Sequence, residues 1–208
     1  MSRDRSLSQY IGLNYLENGR LWFESFELRN TLLFMGIEVR TLAAEEAFDS
    51  LILQGLVAIL RDAVSNNYAV GFLQSDSDAH FEGFWRDELA DINNGNNVLC
   101  AFDDRELVGV LIINPEKRSR ENHRAELRKF LIRADYQRLG IGSLLEKFAC
   151  ELARKAGLKL LYLDSATDYA VSDVYEKWGW TKVGTIPNFA TQPDGDLTPT
   201  TYFFKELK

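Results

Sequence analysis

The sequence predicts an α/β fold in which helices cover a mixed central sheet, and three observations predict it. Short apolar runs that suit strands are interleaved with longer stretches of helical period. Strand-like runs occur both as a close pair, at 98–102 and 107–113, and across an intervening helix, at 125–132 and 158–163. The composition is that of an ordinary globule, with 208 residues, 46% of them apolar, 26% charged and only four prolines. That length suits one hydrophobic core, and no linker divides it.

Taken in order, Ile37, Val39 and Thr41 alternate as a strand, and Phe48, Leu51, Ile52, Gly55, Leu56, Ile59 and Ala63 then recur at helical spacing. Phe81, Phe84, Trp85, Glu88, Leu89 and Ile92 mark a second helix, stopped by Asn93, Asn94 and Gly95. The runs 98–102 and 107–113 read as an antiparallel hairpin across Asp103-Asp104-Arg105-Glu106, and 125–132 is the next strand. Ile141, Leu144, Leu145, Phe148, Ala149, Leu152 and Ala156 draw one stripe down a helix that Gly157 closes. Residues 158–163 are almost wholly apolar, which predicts a central strand buried on both faces. A short helix over 170–178 follows, then a strand from about 180 to 186, a turn-rich loop over 186–200 and a closing strand over 201–204. The order is βααβββαβαββ. Residues 1–35 precede it as an N-terminal extension to which the sequence assigns no role, and 36–208 form the domain.

Charge and cysteine usage narrow the function. Twenty-four Lys and Arg against 31 Asp and Glu leave a formal net charge of −7, which disfavours a nucleic-acid or membrane-surface partner and suits a cationic substrate. Cys100 and Cys150 are too few and too far apart for a disulfide framework or a zinc site, and no other cluster has metal-ligand spacing, so no metal is expected. The longest apolar run, 32–37, is far short of a membrane span, and the first thirty residues lack the pattern of a signal peptide. A cytoplasmic setting is expected. Oligomeric state is not legible, and a homodimer stands only as the commonest symmetric assembly.

The chemistry is carried by Gln137-Arg138-Leu139-Gly140-Ile141-Gly142, between a strand and the apolar stripe of a helix. First-turn N–H groups there have no intrahelical partner and the helix dipole adds partial positive charge, so a phosphate can dock. Glycines at 140 and 142 allow close approach and unusual φ values. A dinucleotide fingerprint would need a third glycine, and Leu145 stands in its place.

This Q-x-x-G-x-G segment resembles the acyl-CoA pyrophosphate loop of the GNAT family of N-acetyltransferases. The element order matches that family's fold, and Val174-Tyr175-Glu176-Lys177-Trp178-Gly179-Trp180 resembles its hydrophobe-Tyr-x-x-x-Gly-aromatic segment. A closer resemblance, to the tabtoxin-resistance acetyltransferases of the family, runs through Asn122-His123-Arg124-Ala125-Glu126-Leu127-Arg128-Lys129, Leu160-Leu161-Tyr162-Leu163-Asp164 and Pro193-Asp194-Gly195. Those enzymes acetylate the amine of a β-lactam amino-acid toxin.

The resemblance implies acetyl-CoA as cosubstrate and a small primary amine as acceptor. It implies main-chain contacts to the pantetheine arm from Phe130, Leu131 and Ile132, and binding of the diphosphate by Gln137, Arg138, Leu139, Gly140, Ile141 and Gly142, where Gln137 replaces the commoner Arg but keeps a hydrogen-bond donor and Arg138 adds a charge nearby. An aliphatic amine, with a pKa near about 10.4, is protonated at neutral pH and must lose a proton before it attacks. The resemblance assigns that work to Glu126 and Asp164, through water, and protonation of the leaving thiolate to Tyr175. Each has a plainer reading: Glu126 paired with Arg124 or Arg128, Asp164 capping a helix, Tyr175 packed in the core. Asp168 stands where the family often has Asn, so it is not counted as binding, and His123 is left outside the site. The competing functions are an acyl-CoA sensor without catalysis and an enzyme acting on a peptide amine.

Overall fold

The computed structural model describes residues 12–16, 20–24, 31–34, 36–167 and 169–208. Its strands are β1 (Gly12–Leu16), β2 (Arg20–Glu24), β3 (Thr31–Phe34), β4 (Ile37–Thr41), β5 (Asn97–Asp103), β6 (Glu106–Pro115), β7 (Arg124–Ile132), β8 (Leu160–Ala166), β9 (Thr181–Thr191) and β10 (Leu197–Glu206). Its helices are α1 (Ser50–Ser65), α2 (Asp78–Ala90), α3 (Ile141–Lys155) and α4 (Tyr169–Lys177). From β4 onward the order is the expected βααβββαβαββ. One sheet runs β3-β4-β5-β6-β7-β8-β10-β9, and β1 and β2 form a separate antiparallel pair. Within the large sheet only β7 and β8 are parallel.

Alternation along the central strands sends side chains into two cores. Leu99, Ala101, Val108, Leu111, Ala125, Leu127, Leu161 and Leu163 join Leu144, Leu145, Phe148 and Ala149 of α3 on one face. Val98, Cys100, Val110 and Ile112 join Leu56, Ile59 and Leu60 of α1 and Phe81, Trp85 and Leu89 of α2 on the other. Asp49 caps α1, its Oδ1 accepting from Leu51 N at 2.8 Å, and Ser77 Oγ caps α2 by accepting from His80 N at 3.3 Å. Gly109 lets α3 lie close to β6: a Cβ there would come within 2.8 Å of Ile132 Cδ1 and 3.2 Å of Leu145 Cδ1.

Two expectations are corrected. The apolar run at 158–163 is not buried on both faces: Leu161 and Leu163 are buried, whereas Leu160 and Tyr162 are partly exposed. The second face lines a cleft, and aromatic as well as aliphatic residues can wall one. The segment 186–200 is not a loop either, since β9 runs to Thr191 and turns through Gln192–Asp196 contacts into β10. Pro187 is tolerated because β9 is the outer strand and no ladder bond is asked of that side. The bulge that follows takes Asn188 to φ +54°. The three strands before residue 35 had no counterpart in the expected order, and β3 extends the main sheet by pairing with β4. Asp168 lies outside the described residues.

A buried carboxylate ties α3 to the far end of the sheet. Glu146, 3% exposed, accepts from Trp180 Nε1 at 3.0 Å, Lys205 Nζ at 2.7 Å and Cys150 Sγ at 3.2 Å. Lys205 Nζ also donates to Trp178 O at 2.7 Å, so the same charge pins the turn between α4 and β9. Removing one partner of such a pair strands the other charge in the interior. Lys205→Met is therefore expected to cost about 3 kcal/mol in urea unfolding, and Glu146→Gln added to it should recover part of that loss. Equal stability of Lys205→Met and the unaltered protein would show that the pair does not bind these elements together.

Candidate active site

The parallel pairing of β7 with β8 covers Arg124↔Leu160, Ala125↔Leu161 and Glu126↔Tyr162 and then stops, although β7 continues to Ile132 and β8 to Ala166. Beyond Glu126 the strands part and a wedge opens through the sheet. Its cause is local. Ile112 lies opposite Arg128 while Val110 lies opposite Leu131, so β7 carries an extra residue there, and Lys129 takes φ +51°. The bulge also reverses which face each side chain takes: Ala125 and Leu127 enter the α3 core, but Leu131 enters the α1/α2 core.

The open edge of β7 can be read from its ladder. Arg133 N donates to Val108 O at 3.0 Å, which makes Gly109–Ile132 a non-hydrogen-bonded pair. Ile132, and by alternation Phe130, therefore turn their own N–H and C=O toward the wedge, while Leu131 turns its main chain to β6. Of the three residues expected to hold an extended arm, Phe130 and Ile132 present main-chain groups to it and Leu131 does not. The Ile132 carbonyl already accepts from Gln137 Nε2 at 3.2 Å.

That bond changes the role of Gln137. Its amide closes the loop against β7 and lies 3.4–3.5 Å from Tyr68 Oη, so the side chain positions the loop. Arg138, at φ +61°, and Leu139, 61% exposed, lead outward to Gly140 at φ +89°. The first helical bond of α3 is Leu144 N to Gly140 O at 3.1 Å, which leaves the N–H groups of Ile141, Gly142 and Ser143 without intrahelical partners. The two glycines serve different needs. Gly140 supplies the left-handed turn, whereas a Cβ on Gly142 would stand 3.3 Å from Trp178 Cη2, so Gly142 lets the helix start settle onto Trp178. Trp178 in turn stacks on Phe130 with centroids 5.9 Å apart. The orphan donors, the helix dipole and the open strand edge together fit a diphosphate and the arm attached to it.

Glu126 sits at the last paired position before the wedge and Asp164 two residues past it, on the same face of the sheet as α1 and α2. Neither follows its plainer reading. Arg128 bonds Glu88 of α2 at 2.8 Å and Arg124 approaches Glu116 and Glu121, while Asn114 Nδ2 donates to Glu126 Oε2 at 3.5 Å. Asp164 lies inside β8, well before α4. It is reachable from the cleft, yet the walls that crowd it push its pKa up, with Lys129 opposing. Tyr175 is 8% exposed among Trp178, Trp180 and Phe203, so its packing role is real. Burial and then the Asp164 charge raise its pKa and keep the hydroxyl protonated. Tyr175 belongs to the α3 face and Asp164 to the other, and the wedge opens between these two faces.

Two connections meet beside the α1–α2 face of the sheet. Asn67, just after α1, donates to Asp194 Oδ2 at 2.7 Å, and Gln74 N donates to Pro193 O at 2.9 Å, so the α1–α2 loop clasps the β9–β10 turn. A cavity lined by Gly71, Phe72, Leu73, Ala190 and Thr191 opens between them. Residues missed in the sequence are Lys129, whose Nζ reaches Val70 O at 2.8 Å under the α1–α2 loop, and Tyr202, opposite Asp164 on β10. A lysine on the strand parity of Ala125 and Leu127 was the readable sign of the bulge. His123 is exposed and contributes its carbonyl to Lys159 N at 2.7 Å, and among the described residues no group of three or more His, Cys, Asp or Glu is placed to hold a metal.

Gly140→Ala is expected to weaken acetyl-CoA binding. A Cβ in the left-handed region costs about 1–2 kcal/mol, roughly five- to thirtyfold in Kd, and calorimetric titration with acetyl-CoA measures it. Unchanged affinity would separate this turn from cosubstrate binding.

Solved structures share the architecture. An N-acetyltransferase from Staphylococcus aureus Mu50 superposes with a TM-score of 0.68 at 16% identity, over 83% of this chain and 99% of that one. A ribosomal-protein-alanine N-acetyltransferase from Brucella melitensis gives 0.66 at 22% identity, over 81% and 99%. A phosphinothricin acetyltransferase from Sinorhizobium meliloti, in complex with AcCoA, gives 0.67 at 16%, over 83% and 89%. These likenesses are of fold. A family model described as the acetyltransferase (GNAT) family matches residues 53–180, from α1 through the wedge and the glycine loop to Trp180, and the chain belongs to that family.

Proposed function

We propose that this acetyl-CoA-dependent N-acetyltransferase acetylates a primary amine of a small, amino-acid-like acceptor by direct attack, with Glu126 and Asp164 receiving the amine and its proton and Tyr175 protonating the leaving sulfur. The observation that carries the reading is the pair of carboxylates on one face of the sheet, at and just past the point where β7 and β8 part. The resemblance of 122–129, 160–164 and 193–195 to tabtoxin-resistance acetyltransferases supports a small amino-acid-like acceptor. Cys100 and Cys150, both free and buried, suit a reducing cytoplasm. Burial pushes the Cys150 thiol up to about 12, which argues against a thiolate nucleophile.

Acetyl-CoA supplies the acyl group as a thioester. The carboxylates of Asp164 and Glu126 hold the acceptor ammonium and take one of its protons through a water, which frees the nitrogen lone pair. In this reading the N–H of Phe130, on the open edge of β7, donates to the acyl oxygen as charge develops there. As the C–N bond forms and the C–S bond breaks, the Tyr175 hydroxyl gives its proton to the departing sulfur, and the second proton of the acylated, still cationic nitrogen leaves through water to restore the tyrosine. No residue of the chain is acylated along this route.

Asp164→Asn and Glu126→Gln are each expected to lower kcat/KM by about 10²–10⁴, read as thiol release with a panel of lysine, ornithine, putrescine, ethanolamine and a short peptide. Tyr175→Phe should lower kcat with little change in KM. The folded pKa of Asp164 lies above its ordinary value, so its ionised form is disfavoured by folding, and this penalty is present once pH rises through that pKa. Asp164→Asn should therefore lose turnover at neutral pH without losing thermal stability. Full turnover in both carboxylate variants would overturn the base assignment, and acetyl-CoA binding with no turnover on the panel would favour a sensor.

A further inference from the structure

We propose that Lys129 receives the carboxylate of the acceptor, so that the substrate is an amine that also carries an acid group and Lys129 selects it over a plain amine. The inference rests on the amine-acetylation reading above. An amino-acid-like acceptor enters a cleft that already holds Glu126 and Asp164, and its own carboxylate would be repelled there unless a cation met it. Lys129 sits at the β7 bulge, and its left-handed backbone, φ +51°, carries the side chain under the α1–α2 loop. Nζ donates to Val70 O at 2.8 Å and stands 4.9 Å from the Phe84 ring centroid and 5.6 Å from that of Phe72. One of its N–H groups is thereby spent and two remain.

This ammonium has no carboxylate of its own. Among the described residues no salt bridge includes Lys129, whereas Arg128 is held by Glu88 at 2.8 Å, His80 lies 3.1 Å from Asp76 and Arg61 2.6 Å from Asp78. There is also space beside it: a Cβ built on Gly71 would stand 3.7 Å from Nζ and meet no other atom within 4 Å beyond its chain neighbours. Gly71, at φ +85°, keeps that space open and lines two cavities that meet at Phe72. The one over α2 is lined by Asp87, which would repel an acid group. The other, of about 390 Å³ and near the small end of ligand sites, is walled by Gly71, Phe72, Leu73, Ala190 and Thr191 and has no charged side chain. Counted from the last pair, Glu126↔Tyr162, Lys129 lies three residues along β7 and Asp164 two along β8, about 3 Å out of step along the sheet. An acceptor lying across the wedge then meets carboxylates at its nitrogen and an ammonium at its acid group. Burial lowers the Lys129 pKa, with Glu88 foremost among the charges that oppose it, and a bound carboxylate would relieve that desolvated charge.

The first arm of the test needs no turnover. In the full-length protein, labelled with carbon-13 at lysine Cε and saturated with CoA, Lys129→Arg assigns the Lys129 signal. Propionate is expected to move that signal with a Kd of about 1–30 mM and to leave the exposed Lys182 in place, while propionamide, its neutral counterpart, moves neither. A Lys129 signal that propionate leaves unmoved would overturn the proposal. The second arm compares kcat/KM, by thiol release, for lysine against cadaverine, ornithine against putrescine and serine against ethanolamine. In any pair that turns over, the acid-bearing member is expected to lead by about 10- to 100-fold. Lys129→Gln, which keeps an N–H for Val70, should erase that lead, and Lys129→Arg should keep most of it. A lead that persists in folded Lys129→Gln, or no lead in the unaltered protein, would also overturn the proposal. Turnover of no pair would count against the amine reading instead, and the propionate arm would then decide whether Lys129 takes a carboxylate.

Discussion

Everything functional in this protein depends on one failure of hydrogen bonding, the parting of β7 and β8 after Glu126. A parallel pair in mid-sheet is normally sealed on both faces, and exposed ladder groups there would carry a desolvation cost. Here the bulge at Lys129 bends β7 toward β6 and leaves main-chain groups of Phe130 and Ile132 without a strand partner. Such an edge suits an extended molecule bound as a strand would be, with the Ile132 carbonyl already accepting from Gln137 Nε2. The same opening lies between the face that carries Tyr175, on α4, and the face that carries Glu126 and Asp164.

Holding such a gap open requires stiff walls, and the charges buried around it supply them. On the α3 face the Glu146 carboxylate collects Trp180, Lys205 and Cys150, and through Lys205 it holds the Trp178 carbonyl. Trp178 then backs Gly142 and Phe130, which links the helix start to the open strand edge. On the other face Arg128–Glu88 fastens β7 to α2, and Lys129 with Asn67 and Gln74 fastens the α1–α2 loop. Buried pairs of this kind add little net stability over apolar packing, but each fixes a geometry. Around a wedge, geometry is what binding and proton transfer need.

Much of this was legible in advance, for identifiable reasons. Helices with an apolar stripe, such as α3, and strands with clear alternation were read in order because period survives without knowledge of partners. The strand at 160–166 was misjudged as sealed on both faces because Leu160 and Tyr162 look apolar whether they meet a core or a cleft. The hairpin at β9 and β10 was hidden by Pro187, Pro193 and Pro199, which signal turns unless a strand has a free outer edge. Only a folded chain could reveal that the Gln137 amide also bonds Ile132 O and lies near Tyr68 Oη.

By itself the sequence determined the element order and the glycine turn ahead of an amphipathic helix, because these follow from local period, side-chain size and spacing, while its resemblance to a known family pointed to the carboxylates and the tyrosine. Tertiary structure alone decided that β7 and β8 part, that Lys129 bulges under the α1–α2 loop, that Glu126 and Asp164 share a face, and that Gly142 answers to Trp178. Each of those depends on which strand lies beside which and in what register, and register is set by contacts between residues far apart in the chain.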